Sequence, residues 1–168
     1  MMAVGSLAAG QPERLIVFTA AGLLMTSTGV TAPVPGRSVI PKERRELDFD
    51  ALAAELRNLR ESVAGVTGTV LAAVDGIPII ADADDYLDPA KISALAAADL
   101  GIARQAAEMT GKGTLSQTVV FGSDGYMAVY AVGRLALMVV LGDKGLNVGR
   151  LLFESRPVIE RIGTILAA

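Results

Sequence analysis

Four carboxylates fall within seven residues, at Asp82, Asp84, Asp85 and Asp88. Acidic side chains at that density can hold a hard cation, or work with one as a hydrolytic centre. A calcium loop also needs an oxygen ligand at each turn and a closing Glu, in the spacing D-x-D-x-D-G-x5-E, and that spacing is absent. Asp88-Pro89 instead has the form of a helix N-cap followed by Pro at the first helical position. The run reads as a solvated loop that ends in a cap, and a metal enzyme built on Asp82–Asp88 is the least favoured reading.

Two glycine-rich stretches resemble phosphate loops in composition. Gly111-Lys112-Gly113-Thr114 follows a predicted helix, whereas a phosphate loop must run from a strand into a helix. Gly142-Asp143-Lys144-Gly145-Leu146-Asn147-Val148-Gly149 does join a strand to a helix, but its Lys is misplaced and Asp143 would repel a phosphate. Helix entry capped by Asp143 or Asn147 explains it better, and no nucleotide binding by this chain is expected. Arg104 has the chemistry of an arginine finger, yet it lies within a predicted helix where Glu108, four residues on, is a ready partner. A rim contact to a partner suits it better, and Lys91 and Glu108 join it as candidate partner-binding residues.

Composition narrows the chemistry further. The 168 residues contain no His, Cys or Trp. Disulfides, thiolate nucleophiles, His-based triads and the usual zinc sites are therefore excluded. General acid–base work near neutral pH would fall to carboxylates, Lys or Tyr with large pKa shifts. Neither a catalytic role nor a cofactor is expected. With 52% apolar and 20% charged residues the chain is core-forming.

Charge is uneven. Residues 1–45 carry five basic and two acidic side chains, a net +3, and residues 46–168 carry ten basic and sixteen acidic, a net −6. An acidic body with few aromatics is poorly suited to a phosphate backbone, so nucleic acid is not an expected partner. Leu15–Gly36 is uncharged, and Leu15–Met25 is long and apolar enough for a signal-peptide core. Thr26-Ser27-Thr28-Gly29 dilutes it below a clear spanning helix. Residues 1–45 therefore read as a disordered or loosely attached extension, as a targeting segment, or as an anchor whose basic run up to Arg45 holds the body in the cytoplasm. A cytoplasmic location is expected, with membrane association through residues 15–32 as the variant. Val34-Pro35-Gly36 and Ile40-Pro41 mark a linker, which places the body at residues 46–168.

The elements of the body follow from periodicity and punctuation. Asp48 or Asp50 caps a helix with Leu52, Leu56, Leu59 and Val63 on one face, ending at Gly65. Two apolar strands flank Asp75-Gly76, a hairpin signal in which both central residues need positive φ. Pro78 requires the second strand to be an edge or to carry a bulge. A helix from Ala90 to Thr110 is closed by Gly111. Leu95, Ala98, Ile102, Ala106 and Met109 form one of its stripes, and Ala94, Ala97, Ala98 and Gly101 form a neighbouring small-residue face. Strands at Leu115–Phe121, Tyr126–Val132 and Leu135–Leu141 follow, the first mixed enough in polarity for an edge and the other two apolar enough to be covered on both sides. A last helix from about Leu146 to Leu166 should be kinked or divided by Pro157. The class is α+β, an antiparallel sheet with helical cover.

That order resembles the roadblock/dynein-light-chain family, in the type found in bacteria beside small Ras-like GTPases. The matching residues are Val63-Ala64-Gly65-Val66, the Val74-Asp75-Gly76-Ile77-Pro78 hairpin, the Ala-rich helix around Ala94–Ala107, Gly125-Tyr126-Met127-Ala128-Val129-Tyr130 and Leu146-Asn147-Val148-Gly149, within about residues 47–166. The resemblance implies a profilin-like roadblock fold, a five-stranded antiparallel sheet covered by three helices in the order α-β-β-α-β-β-β-α. It implies a non-catalytic homodimer formed through the second helix and the neighbouring edge strand, with Ala94, Ala97, Ala98, Gly101, Gln105 and Gln117 at the interface. It also implies a small Ras-like GTPase as the regulated or scaffolded partner, and a histidine-kinase-like protein of the same system as a further one. An uncovered edge beside a small-residue helix face is itself what a self-pairing surface would look like. The alternatives are that this helix face packs on the chain's own sheet, that the domain is a purely structural dimer, or that it senses a small molecule in a pocket with convergent polar groups. Tyr126 and Tyr130 are the only polar handles the central strands offer for the last.

Overall fold

A computed structural model describes residues 16–17 and 47–168 of the chain. The linker, the apolar stretch beyond Val17 and the boundary at residue 46 lie outside the described residues. The elements are β1 (Ile16–Val17), α1 (Phe49–Ser62), β2 (Val66–Ala73), β3 (Pro78–Ala83), α2 (Pro89–Met109), β4 (Gln117–Phe121), β5 (Gly125–Val132), β6 (Ala136–Asp143) and α3 (Val148–Ala167). From α1 onward this is the expected α-β-β-α-β-β-β-α order of a roadblock fold.

Strands β2 to β6 form a five-stranded antiparallel sheet in the order β3-β2-β6-β5-β4. The two residues of β1 extend it on the β3 side, with Ile16 opposite Ala81 and Val17 opposite Ile80. Pro78 opens β3 without a ladder donor, and the β2–β3 register shifts between Leu71 and Ala72, as a proline at this position requires.

Alternation along the central strands sorts their side chains into two cores. Ala136, Met138 and Val140 of β6 face α1 and α3 and pack with Leu52, Leu56, Leu59, Leu151 and Ile162. Leu137 and Val139 face α2 and pack with Ala96 and Leu100. Two helices thus cover one face and one helix the other. Tyr130 is buried in the first core, where desolvation raises the pKa of its phenol. The nearby Ser155 hydroxyl works against that rise, and burial is the larger effect.

The caps are local and specific. Asp48 caps α1 by accepting from the Ala51 amide at 2.9 Å, and Asn147 caps α3 by accepting from Arg150 at 2.9 Å. Asp143 instead turns back to the Gly145 amide at 2.7 Å.

Two expectations need correction. The Asp75-Gly76 hairpin has positive φ only at Gly76 (87°). Gly76 N–H donates to the Ala73 carbonyl at 2.9 Å and Ala73 N–H to Ile77 at 2.8 Å. The loop is therefore three residues long, a type I turn followed by a left-handed glycine, which relieves Asp75 of any left-handed conformation. Of the two outcomes expected of Pro157, a kink or a division, division does not occur, and α3 runs unbroken to Ala167. Pro157 is on the exposed side of the helix, so the lost bond to the Phe153 carbonyl leaves that oxygen to water instead of the core.

Candidate functional site

The acidic run does separate jobs. Asp82 is buried and accepts from Arg60 Nη1 at 2.9 Å, tying β3 to α1, while Asp84 stands 3.7 Å from Arg60 Nη2. Asp88 caps α2 through the Ala90 and Lys91 amides at 3.0 and 3.3 Å. The Lys91 amide bond is the main reason its carboxyl titrates below the usual range. Among the described residues no three His, Cys, Asp or Glu side chains converge on a point that a metal would occupy.

The surface that lacks cover lies at the other edge. Of the 21 residues of α2, only Ser93, Ala96 and Leu100 are buried against the sheet. The stripe named from the sequence points outward: Leu95 is 66% exposed, Ile102 69% and Met109 88%, with Ala98 and Ala106 also exposed between them. Asp88 as cap and Pro89 at the first position start the helix, and Ala at eight of its 21 positions favours it.

Beside α2 runs β4. It pairs with β5 alone, from Gln117 opposite Tyr130 to Phe121 opposite Tyr126. Its other edge leaves backbone donors and acceptors unpaired among the described residues. Phe121 is 69% exposed and meets Tyr126 edge-on at 5.3 Å between ring centroids, which holds the exposed ring in place.

The residues named from the sequence divide between these surroundings. Ala97 is half-buried in the α2 core. It and Ala94 also lie against the β2–β3 turn, where a side chain on Gly76 would come within 3.3 Å of Ala97 Cβ and 3.0 Å of Ala94 Cα. Part of the small-residue face therefore packs on the chain's own hairpin. Ala98 and Gln105 are exposed, and a Cβ added to Gly101 would meet nothing within 4 Å. Gln117 is half-buried at the start of β4. Lys91 is exposed, 3.4 Å from Asp88. Arg104 forms no ion pair with Glu108; both side chains border a cavity together with Arg134.

Leu95, Ile102 and Met109 on α2 and Val120 and Phe121 on β4 are exposed apolar residues as well, but were not singled out as site residues. Apolar residues at helical spacing normally mark a core face. Their signal was that the stripe lay beside, and not on, the face that carries Ser93, Ala96 and Leu100.

Fold and surface together define a class: a small α+β module whose exposed features are an apolar helix face and an open sheet edge. The profile of the Roadblock/LC7 domain matches residues 52–142, and the chain belongs to that family. An uncharacterized protein of Methanocaldococcus jannaschii is 30% identical over 98 residues, 58% of this chain and 85% of the relative. MglB of Myxococcus xanthus has a similar structure, with TM-score 0.66 at 17% identity, covering 73% of this chain and 92% of the other. A Roadblock/LC7 domain of Streptomyces avermitilis gives TM-score 0.63 at 21% identity, covering 68% and 97%. A gliding protein of Thermus thermophilus, also MglB, gives 0.62 at 15% identity, covering 70% and 89%. Among the described residues no helix is long and apolar enough to cross a membrane.

Proposed function

We propose that the chain is a non-catalytic interaction module that forms a homodimer through α2 and β4 and in that form binds and regulates, or scaffolds, a small Ras-like GTPase. One observation carries the reading. The exposed stripe Leu95, Ala98, Ile102 and Met109 is carried by α2, which packs against the sheet that β4 ends as an edge strand, and a symmetric contact that used both would bury the helix face and pair the strand edge. Similar structures support oligomer formation in this fold, since one MglB adopts a tetrameric arrangement. The gliding proteins of the same fold support a regulatory role.

Sedimentation equilibrium should give a dimer for the wild-type chain and a monomer for Ile102→Asp. The immobilised full chain, exposed to native lysate with GDP or with a non-hydrolysable GTP analogue, should retain a small GTPase in one nucleotide state. Retention of no GTPase in either state would remove the regulator reading, and a wild-type monomer at micromolar concentration would remove the dimer.

A further inference from the structure

A hollow among the described residues lies between the C-terminal half of α2, the loop that follows it and the β5–β6 turn. Its volume is about 780 Å³, within the range of sites that bind small molecules. The walls are Arg104 and Glu108 from α2, Gly111, Gly113 and Thr114 from the loop, and Arg134 from the turn, over a floor of Leu115 and Ala131. This is the Gly-Lys-Gly-Thr stretch that fails as a phosphate loop because a helix precedes it. Folding brings it to face two arginines that the sequence separates by thirty residues.

Those arginines are among the described cations that no carboxylate engages, as are Arg57, Lys112 and Arg156, and of these five only Arg104 and Arg134 line the hollow. Among the described residues Arg60, Lys91, Lys144, Arg150 and Arg161 each have a carboxylate within 4 Å. Arg104 and Arg134 have none, and neither donates a hydrogen bond to the protein. Glu108 is the one carboxylate on the wall, so the hollow keeps a net positive lining, and exposed Lys112 adds to it from the loop. The loop backbone is accessible as well. Gly113 adopts φ 83° with nothing within 4 Å of its missing side chain, and the Gly113 and Thr114 amides donate to no carbonyl among the described residues.

We propose that this hollow is a binding site for a small multivalent oxyanion, a phosphate-bearing or polycarboxylate molecule. Planar guanidinium groups from two sides match the paired oxygens of such a ligand, and charge-assisted bonds of this kind are the strong ones. The loop amides add donors without charge. This reading stands apart from GTPase binding and requires no partner protein.

The test is calorimetric titration of the purified full chain with pyrophosphate and, separately, with citrate, at matched ionic strength. Binding is expected for at least one anion, and which of them binds identifies the source of the charge. Arg104→Gln and Arg134→Gln should each weaken it by about tenfold or more. Thr114→Glu, which leaves both arginines in place but adds a carboxylate to the wall, should abolish it. Arg57→Gln, an exposed cation of α1 outside the hollow, should bind as wild type. Circular dichroism reports that each variant is folded. Heat from neither anion at millimolar concentration overturns the proposal, as does binding that Arg134→Gln and Thr114→Glu leave intact. A GTPase that fails to bind would not change either result.

Discussion

Gly101→Leu separates the monomer's stability from the proposed self-association, because the two effects are expected to have opposite signs. Among the described residues a Cβ at position 101 would meet nothing within 4 Å, so the first atom of the new side chain enters open space. Leucine is the better helix former by roughly 0.8 kcal/mol. The monomer should therefore gain stability, and its melting midpoint should rise by roughly 2–6 °C. In a symmetric dimer that packs α2 on its copy, the same side chain enters a close helix–helix contact twice. Overpacking typically costs about 1–3 kcal/mol per site. The dimer dissociation constant should then rise about 30-fold or more, each factor of ten being about 1.4 kcal/mol. Sedimentation equilibrium measures the constant, and thermal unfolding at a concentration below it measures the monomer. An unchanged monomer–dimer profile would move the interface off this part of α2. A lower midpoint for the variant monomer would show that Gly101 packs inside the chain and would refute the geometry itself.

Three further substitutions probe what holds the scaffold. Leu56 is fully buried between α1, α3 and the sheet, and Leu56→Ala should lower the denaturant-derived stability by about 2–5 kcal/mol. Arg60→Ala leaves buried Asp82 without its 2.9 Å partner. A loss of about 2–3 kcal/mol is expected, less than for a fully buried pair because Arg60 is partly solvated, and Arg60→Ala with Asp82→Asn should recover much of it. Asp88→Asn tests pH linkage: the folded carboxyl titrates below its ordinary 3.8, chiefly through the Lys91 amide. Its contribution is complete above that ordinary value and is lost as pH falls below it. Stability curves of wild type and Asp88→Asn should therefore run parallel above about pH 5 and converge in acid. Parallel curves down to pH 2 would refute the linkage.

Much of this architecture is local and was legible in order along the chain. Asp48, Asp88 and Asn147 cap their helices because a short acceptor side chain before a helical run has one good use for its oxygen. The period of β6 assigns Met138 and Leu137 to opposite faces without reference to any neighbour. Strand identity, element order, the edge position of β4 and the family resemblance all followed from such short-range patterns.

The functional surface depended on partition, which no local pattern encodes. Leu95, Ile102 and Met109 have the spacing of a core face, yet the sheet takes Ser93, Ala96 and Leu100. Val70, Val129 and Val139 of the sheet pack with Ala96 and Leu100, and Leu95, Ile102 and Met109 on the other side of the helix are turned outward. Pro157 was legible as a helix breaker, but whether it breaks α3 depends on which side meets the core. Arg104 and Arg134 illustrate the same limit. Composition establishes that this chain has no His or Cys chemistry. Which charges share a hollow, and which apolar residues lack cover, is decided by long-range packing, where the shape of one element selects the face of another.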